Sequence, residues 1–137
     1  MLLNDPNFKN LDETDKYIIG HVFENAYLID KITGEKIYLG NLYGDPSCGI
    51  IDKGNKWCLV GGETLVIWKT DGTISPIKDE VLYWTCRVRQ IDSYNVELLV
   101  DAWSDRSSIW KLNIDTFDRH KVKDIITNGR YEENLDW

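Results

Sequence analysis

Residues 49–68 (GIIDKGNKWCLVGGETLVIW) carry the densest apolar content of the chain, and two turns divide them into three short runs. The first turn is Asp52-Lys53-Gly54-Asn55, where Gly54 can take a positive φ at no steric cost. The second is Gly61-Gly62, a two-residue glycine link of the kind that joins hairpin strands. Runs this short cannot be helices of ordinary length, so the stretch reads as a β-meander in the middle of the core.

The same punctuation recurs on both sides. Strands are expected at residues 17–23, 26–30, 37–39, 74–77, 96–100, 108–114 and 121–126. Residues 80–90 (EVLYWTCRVRQ) read as one long strand whose alternation sends Leu82, Trp84, Cys86 and Val88 to the core. Gly34 and Gly72 mark hairpin tips that need a left-handed residue. No 12-residue segment shows 3.6-residue amphipathicity, so about ten short strands make an all-β, single-domain antiparallel meander over residues 1–137. Residues 1–16 are expected to be a loosely held lead-in or one short helical turn, and residues 128–137 a less ordered tail. A sandwich, an open barrel and a propeller-like meander all satisfy this pattern. Residues 28–34, 66–72 and 109–115 echo one another at a spacing near 40, as propeller blades do. Three units fall short of the usual four blades, and hairpins repeat in any meander, so the echo does not choose among the three.

The 137 residues carry a formal charge of −7, a sign that repels nucleic-acid phosphates and anionic lipid and attracts basic partners. No run approaches the ~20 apolar residues of a membrane span, and the N-terminus lacks a signal-peptide pattern. Three cysteines without Cys-x-x-Cys spacing point to reduced thiols in a cytoplasmic protein. Cys58 and Cys86 sit in apolar runs, whereas Cys48 lies in a turn-rich loop and is the thiol to test for reactivity.

Catalytic signatures are absent. His21 and His120 stand about a hundred residues apart without ligand-spaced partners, so no metal is expected. There is no Gly-x-Ser-x-Gly, and Gly61-Gly62 opens no helix that would hold a phosphate. The chain is expected to be neither an enzyme nor a cofactor carrier.

Tryptophan is the remaining signal. Trp57, Trp68, Trp84 and Trp110 fall in apolar runs and read as core. Trp103 lies in a polar loop beside Asp101 and Asp105, a setting that suits either a ring folded back over the sheet edge or an interface anchor.

Residues 43–51 (YGDPSCGII), 56–62 (KWCLVGG) and 65–68 (LVIW), with the later 101–105 (DAWSD) and 109–112 (IWKL), resemble a pattern in small bacterial immunity proteins. These are the inhibitors encoded beside polymorphic or contact-dependent-inhibition toxins. The resemblance spans roughly residues 17–126. It implies a non-catalytic protein that binds a cognate toxin domain, with a basic nuclease suggested by the charge. Asp45, Asp52, Asp101, Trp103 and Asp105 are the candidate contact residues. The competing reading is a small-ligand or carbohydrate-binding β-domain that stacks its ligand on exposed aromatics.

Overall fold

The computed structural model describes residues 2–102, 104 and 106–125. Within them twelve strands form three four-stranded antiparallel sheets, each a meander in chain order. The first sheet holds β1 (Phe8–Glu13), β2 (Tyr17–Val22), β3 (Asn25–Asp30) and β4 (Lys36–Asn41). The second holds β5 (Cys48–Ile51), β6 (Trp57–Gly61), β7 (Leu65–Lys69) and β8 (Ile74–Ile77). The third holds β9 (Thr85–Gln90), β10 (Asn95–Val100), β11 (Ser108–Asn113) and β12 (Arg119–Asp124). The architecture is all-β, as expected, and of the three arrangements left open it is the propeller-like one.

The apolar density of residues 49–68 has a direct cause: the second sheet is buried on both faces. Strand alternation sends Cys58, Val60, Val66 and Trp68 into a core shared with Tyr17, Ile19, Leu28 and Leu39 of the first sheet. The intervening Trp57, Leu59, Leu65 and Ile67 enter a second core with Val96, Leu98, Val100 and Leu112 of the third. Each fully buried aliphatic side chain stabilises the fold by about 1.5–3 kcal/mol relative to exposure. Tyr17 meets Trp68 edge-on across the first core, with ring centroids 5.4 Å apart.

The repeat at a spacing near 40 is structural. Each echoing segment falls on the third strand of its sheet and the turn that follows, β3, β7 and β11. In all three sheets the first residue past that strand donates its amide to a carbonyl just before the second strand. The bonds are Lys31 to Lys16 at 2.8 Å, Thr70 to Lys56 at 3.1 Å and Ile114 to Tyr94 at 2.7 Å.

Four expectations need correction. The lead-in is more than a loose segment or one helical turn, because after a short 3-10 turn (Leu2–Asn4) β1 pairs along β2. Packing there is close: a Cβ on Gly20 would lie 2.4 Å from both the Lys9 carbonyl oxygen and the Phe8 ring. Residues 80–90 are not one strand. Asp79 accepts the Val81 amide at 3.2 Å, the Thr85 hydroxyl donates to the Leu82 carbonyl at 2.8 Å, and these local bonds favour a 3-10 turn (Glu80–Leu82) over a ladder. Trp84 consequently leaves the core and is 55% exposed. In the 52–56 turn the left-handed residue is Asn55 (φ 60°), whereas Gly34 and Gly72 take positive φ as expected. The tail at 128–137 lies outside the described residues.

Candidate functional site

A meander alternates its turns between two ends. In each sheet the first-to-second and third-to-fourth connections lie at one end, here termed the hairpin end. The second-to-third connections (residues 23–24, 62–64 and 101–107) lie at the other, together with both intersheet links, residues 42–47 and 78–84. This crossover end is stitched laterally by backbone bonds. The Leu42 amide donates to Glu24 at 2.9 Å, Ser47 to Gly61 at 2.8 Å, Trp84 to Glu63 at 3.3 Å and Asp101 to Trp84 at 2.9 Å.

Three large aromatic side chains project from it. Phe23, Tyr43 and Trp84 are 61%, 65% and 55% exposed. All three, and Asp101 beside them, hold left-handed backbone at φ 51°, 62°, 63° and 54°. That conformation costs a non-glycine residue roughly 1–2 kcal/mol and persists only where the surroundings impose it. The surroundings here are specific. An imidazole N–H of the buried His21 donates to the Phe23 carbonyl at 2.7 Å, and Asn41 accepts the Tyr43 amide at 2.7 Å. Solvent-facing aromatics held at such a cost are unusual unless a partner covers them.

The carboxylates at the two ends differ in occupation. At the hairpin end most are engaged in structure, Glu35 and Asp118 excepted. Asp30 accepts the amides of Ile32 and Thr33, Asp71 that of Thr73, and Asp92 those of Tyr94 and Asn95. Asp15 accepts from Asn55, and Asp115 pairs with Lys69 at 3.4 Å. The turn bonds hold Asp30, Asp71 and Asp92 below the ordinary carboxylate range. At the crossover end Asp79 is engaged, by the Val81 amide and by Arg119 at 3.2 Å, whereas Glu24, Asp45, Glu63, Glu80 and Asp101 make no side-chain hydrogen bond or ion pair among the described residues. The described bases in those loops are Lys78 and Arg106.

Beside Trp84 the crossover end opens into a groove of about 620 Å³. Val81, Tyr83, Trp84, Val100 and Trp110 form its apolar lining, and Glu80, Asp101, Asp124, Arg106 and Lys121 its charged lining. Trp110 is only half-buried here, because its indole N–H donates to the Ser108 hydroxyl at 3.1 Å while its ring borders the groove.

The contact residues expected from sequence separate accordingly. Asp45 is exposed and Asp101 half-buried, both at the crossover end. Asp52 is at the hairpin end and only 4% exposed. It accepts from the Lys56 amide at 3.1 Å and the Gln90 side chain at 2.8 Å, and the Gln90 carbonyl oxygen in turn accepts the Lys53 amide at 3.1 Å. Asp52 ties the second sheet to the third. Trp103 and Asp105 lie outside the described residues. Cys48 is buried too, and burial, helped by the nearby Cys86, pushes its thiol up to about 12. It is therefore not the reactive thiol.

Phe23, Tyr43 and Trp84 escaped the sequence reading. Tyr43 carried a usable signal, an aromatic among the turn formers of residues 40–48. Trp84 carried a misleading one, since it alternates with Leu82 and Cys86 as a strand residue would.

No family model and no curated protein matches the sequence. Among solved structures, the N-terminal domain of Nup159 is similar, with a TM-score of 0.53 and 8% sequence identity over 90% of this chain. That domain is a β-propeller. The likeness is one of fold. The chain spans about a third (32%) of that domain's length. Among the described residues no helix is long and apolar enough to cross a membrane.

Proposed function

We propose that the protein is a non-catalytic neutralising partner of the immunity type, which binds a cognate toxin domain across its crossover end. One observation carries this reading: Phe23, Tyr43 and Trp84 are exposed on strained backbone at the same end as five uncommitted carboxylates. Aromatic anchors supply contact area at low entropic cost, and unpaired acids supply steering and selectivity toward a basic surface. The net charge of −7 acts in the same direction. Asp45 and Asp101 remain contact residues in this reading, and Trp103 and Asp105 stay candidates on the sequence alone. A basic nuclease fits the charge, because carboxylates on the inhibitor would then take the place of substrate phosphates.

The alternative is a small-ligand or carbohydrate-binding domain, and the groove beside Trp84 is the feature that favours it. The three exposed aromatics come from separate loops that also carry uncommitted acids, so the protein-binding reading is preferred. Co-expression with the product of the open reading frame immediately upstream tests it. A stoichiometric, salt-sensitive complex supports the reading. A harmless upstream product that forms no complex overturns it, and glycan or metabolite binding at Trp84 would then support the alternative.

A further inference from the structure

We infer that the groove beside Trp84 receives an arginine side chain of the partner, stacked on an indole face with its guanidinium between Glu80 and Asp101. The inference rests on the protein-binding reading above and names the chemistry of its anchor point.

The lining carries it. Trp84 presents an exposed ring held from both sides by backbone bonds, to Glu63 and from Asp101, so the ring stands on a fixed base before any partner arrives. Trp110 supplies a second indole in the same groove. Of the charges, Lys121 and Asp124 neutralise each other at 3.1 Å. Glu80 and Asp101 then face a single base, Arg106, and neither forms an ion pair among the described residues. An apolar floor with an excess of carboxylate at its rim is complementary to a cation that also has a flat apolar face. Guanidinium meets both demands: it stacks on indole, it is less strongly hydrated than ammonium, and its fork matches a carboxylate. A lysine would satisfy the charge but stack poorly, and an anionic or neutral segment would leave the acids without a counter-charge.

The test uses the full chain, labelled with nitrogen-15 and titrated with an acetylated hexa-arginine peptide while the tryptophan indole resonances are followed. Hexalysine and hexaglutamate serve as comparisons. The Trp84 and Trp110 resonances are expected to shift with hexa-arginine, more weakly with hexalysine, and not with hexaglutamate. Trp84→Ala is expected to weaken the arginine peptide about tenfold and Asp101→Asn about threefold or more. Trp84→Phe, which keeps an aromatic face, should retain part of the affinity, and Asp71→Asn at the hairpin end should retain all of it. Absence of any indole shift at millimolar peptide overturns the inference, as does affinity undiminished in both groove variants. A toxin that still binds the crossover end under saturating hexa-arginine overturns the arginine site and spares the binding reading. A peptide response without any toxin partner overturns the binding reading and spares the site.

Discussion

The Asp101 amide donates to the Trp84 carbonyl at 2.9 Å, and both residues hold left-handed backbone, at φ 54° and 63°. One strained loop residue thus supports another, and the exposed indole is fixed in place at the expense of the backbone beneath it. Such an arrangement does little for folding that a glycine would not do as well.

Trp84→Gly should therefore separate stability from binding. Glycine removes the left-handed penalty but adds chain entropy in the unfolded state, and the two effects are similar in size. Denaturant unfolding is expected to place the variant within about 1 kcal/mol of the parent. Trp68→Ala, by contrast, empties a core position and should cost about 3–5 kcal/mol. A loss of several kcal/mol in Trp84→Gly would show that the ring is structural.

Asp52 and Asp45 should behave oppositely. Asp52→Ala leaves the Lys56 N–H without its acceptor and the Gln90 amide with only the Asp92 carbonyl, and should cost about 2–3 kcal/mol in chemical denaturation. Asp45→Ala, at an exposed site without side-chain partners, should stay within about 0.5 kcal/mol. Equal costs would remove the distinction between a structural acid and a surface acid.

The thiols should react in the order of their accessibility. Cys48 and Cys58 are buried, and burial drives both thiols upward, that of Cys48 to about 12. Cys86 is half-exposed on β9. Alkylation of the native protein at pH 8, read by mass spectrometry, should modify Cys86 alone, with the other two reacting only after denaturation.

Acid should loosen the hairpin end first. Asp30, Asp71 and Asp92 titrate below their ordinary value of 3.8 in the folded protein, and Glu13, bonded to Lys31, below 4.5. A group depressed on folding contributes stability that is complete above its unfolded value and is lost as pH falls through its folded one. Stability should thus be level above about pH 5 and decline below about pH 4. Carboxyl carbon titration by NMR would check the ordering, and Asp30→Asn should flatten part of the decline.

Most of the fold was legible because strand alternation and turn chemistry are local properties. Residues 49–68 announced a meander in the middle of the core, and the 40-residue echo fell on the third strand of every sheet. What failed was non-local or competitive. Residues 80–90 alternate well enough for a strand, but Asp79 and Thr85 offer the backbone side-chain bonds that stop one forming. Asp52 and Asp45 look alike in sequence, each an acid in a turn. Only the arrival of Gln90 from the third sheet makes Asp52 a buried tie. The crossover end was half legible, through Asp45 and Asp101, while its aromatics depend on backbone conformations that composition does not reveal.

The most direct measurement is binding of the full chain to the product of the upstream open reading frame by titration calorimetry at two salt concentrations. The wild-type chain is compared with a Phe23→Ser/Tyr43→Ser/Trp84→Ser variant and with a Lys53→Ser/Asp71→Asn variant at the hairpin end. Binding should be tight, weaken with salt, fall at least about a hundredfold in the aromatic variant and persist in the hairpin-end variant. Unchanged affinity in the aromatic variant, or loss confined to the hairpin-end variant, would contradict the assignment of the crossover end as the binding surface.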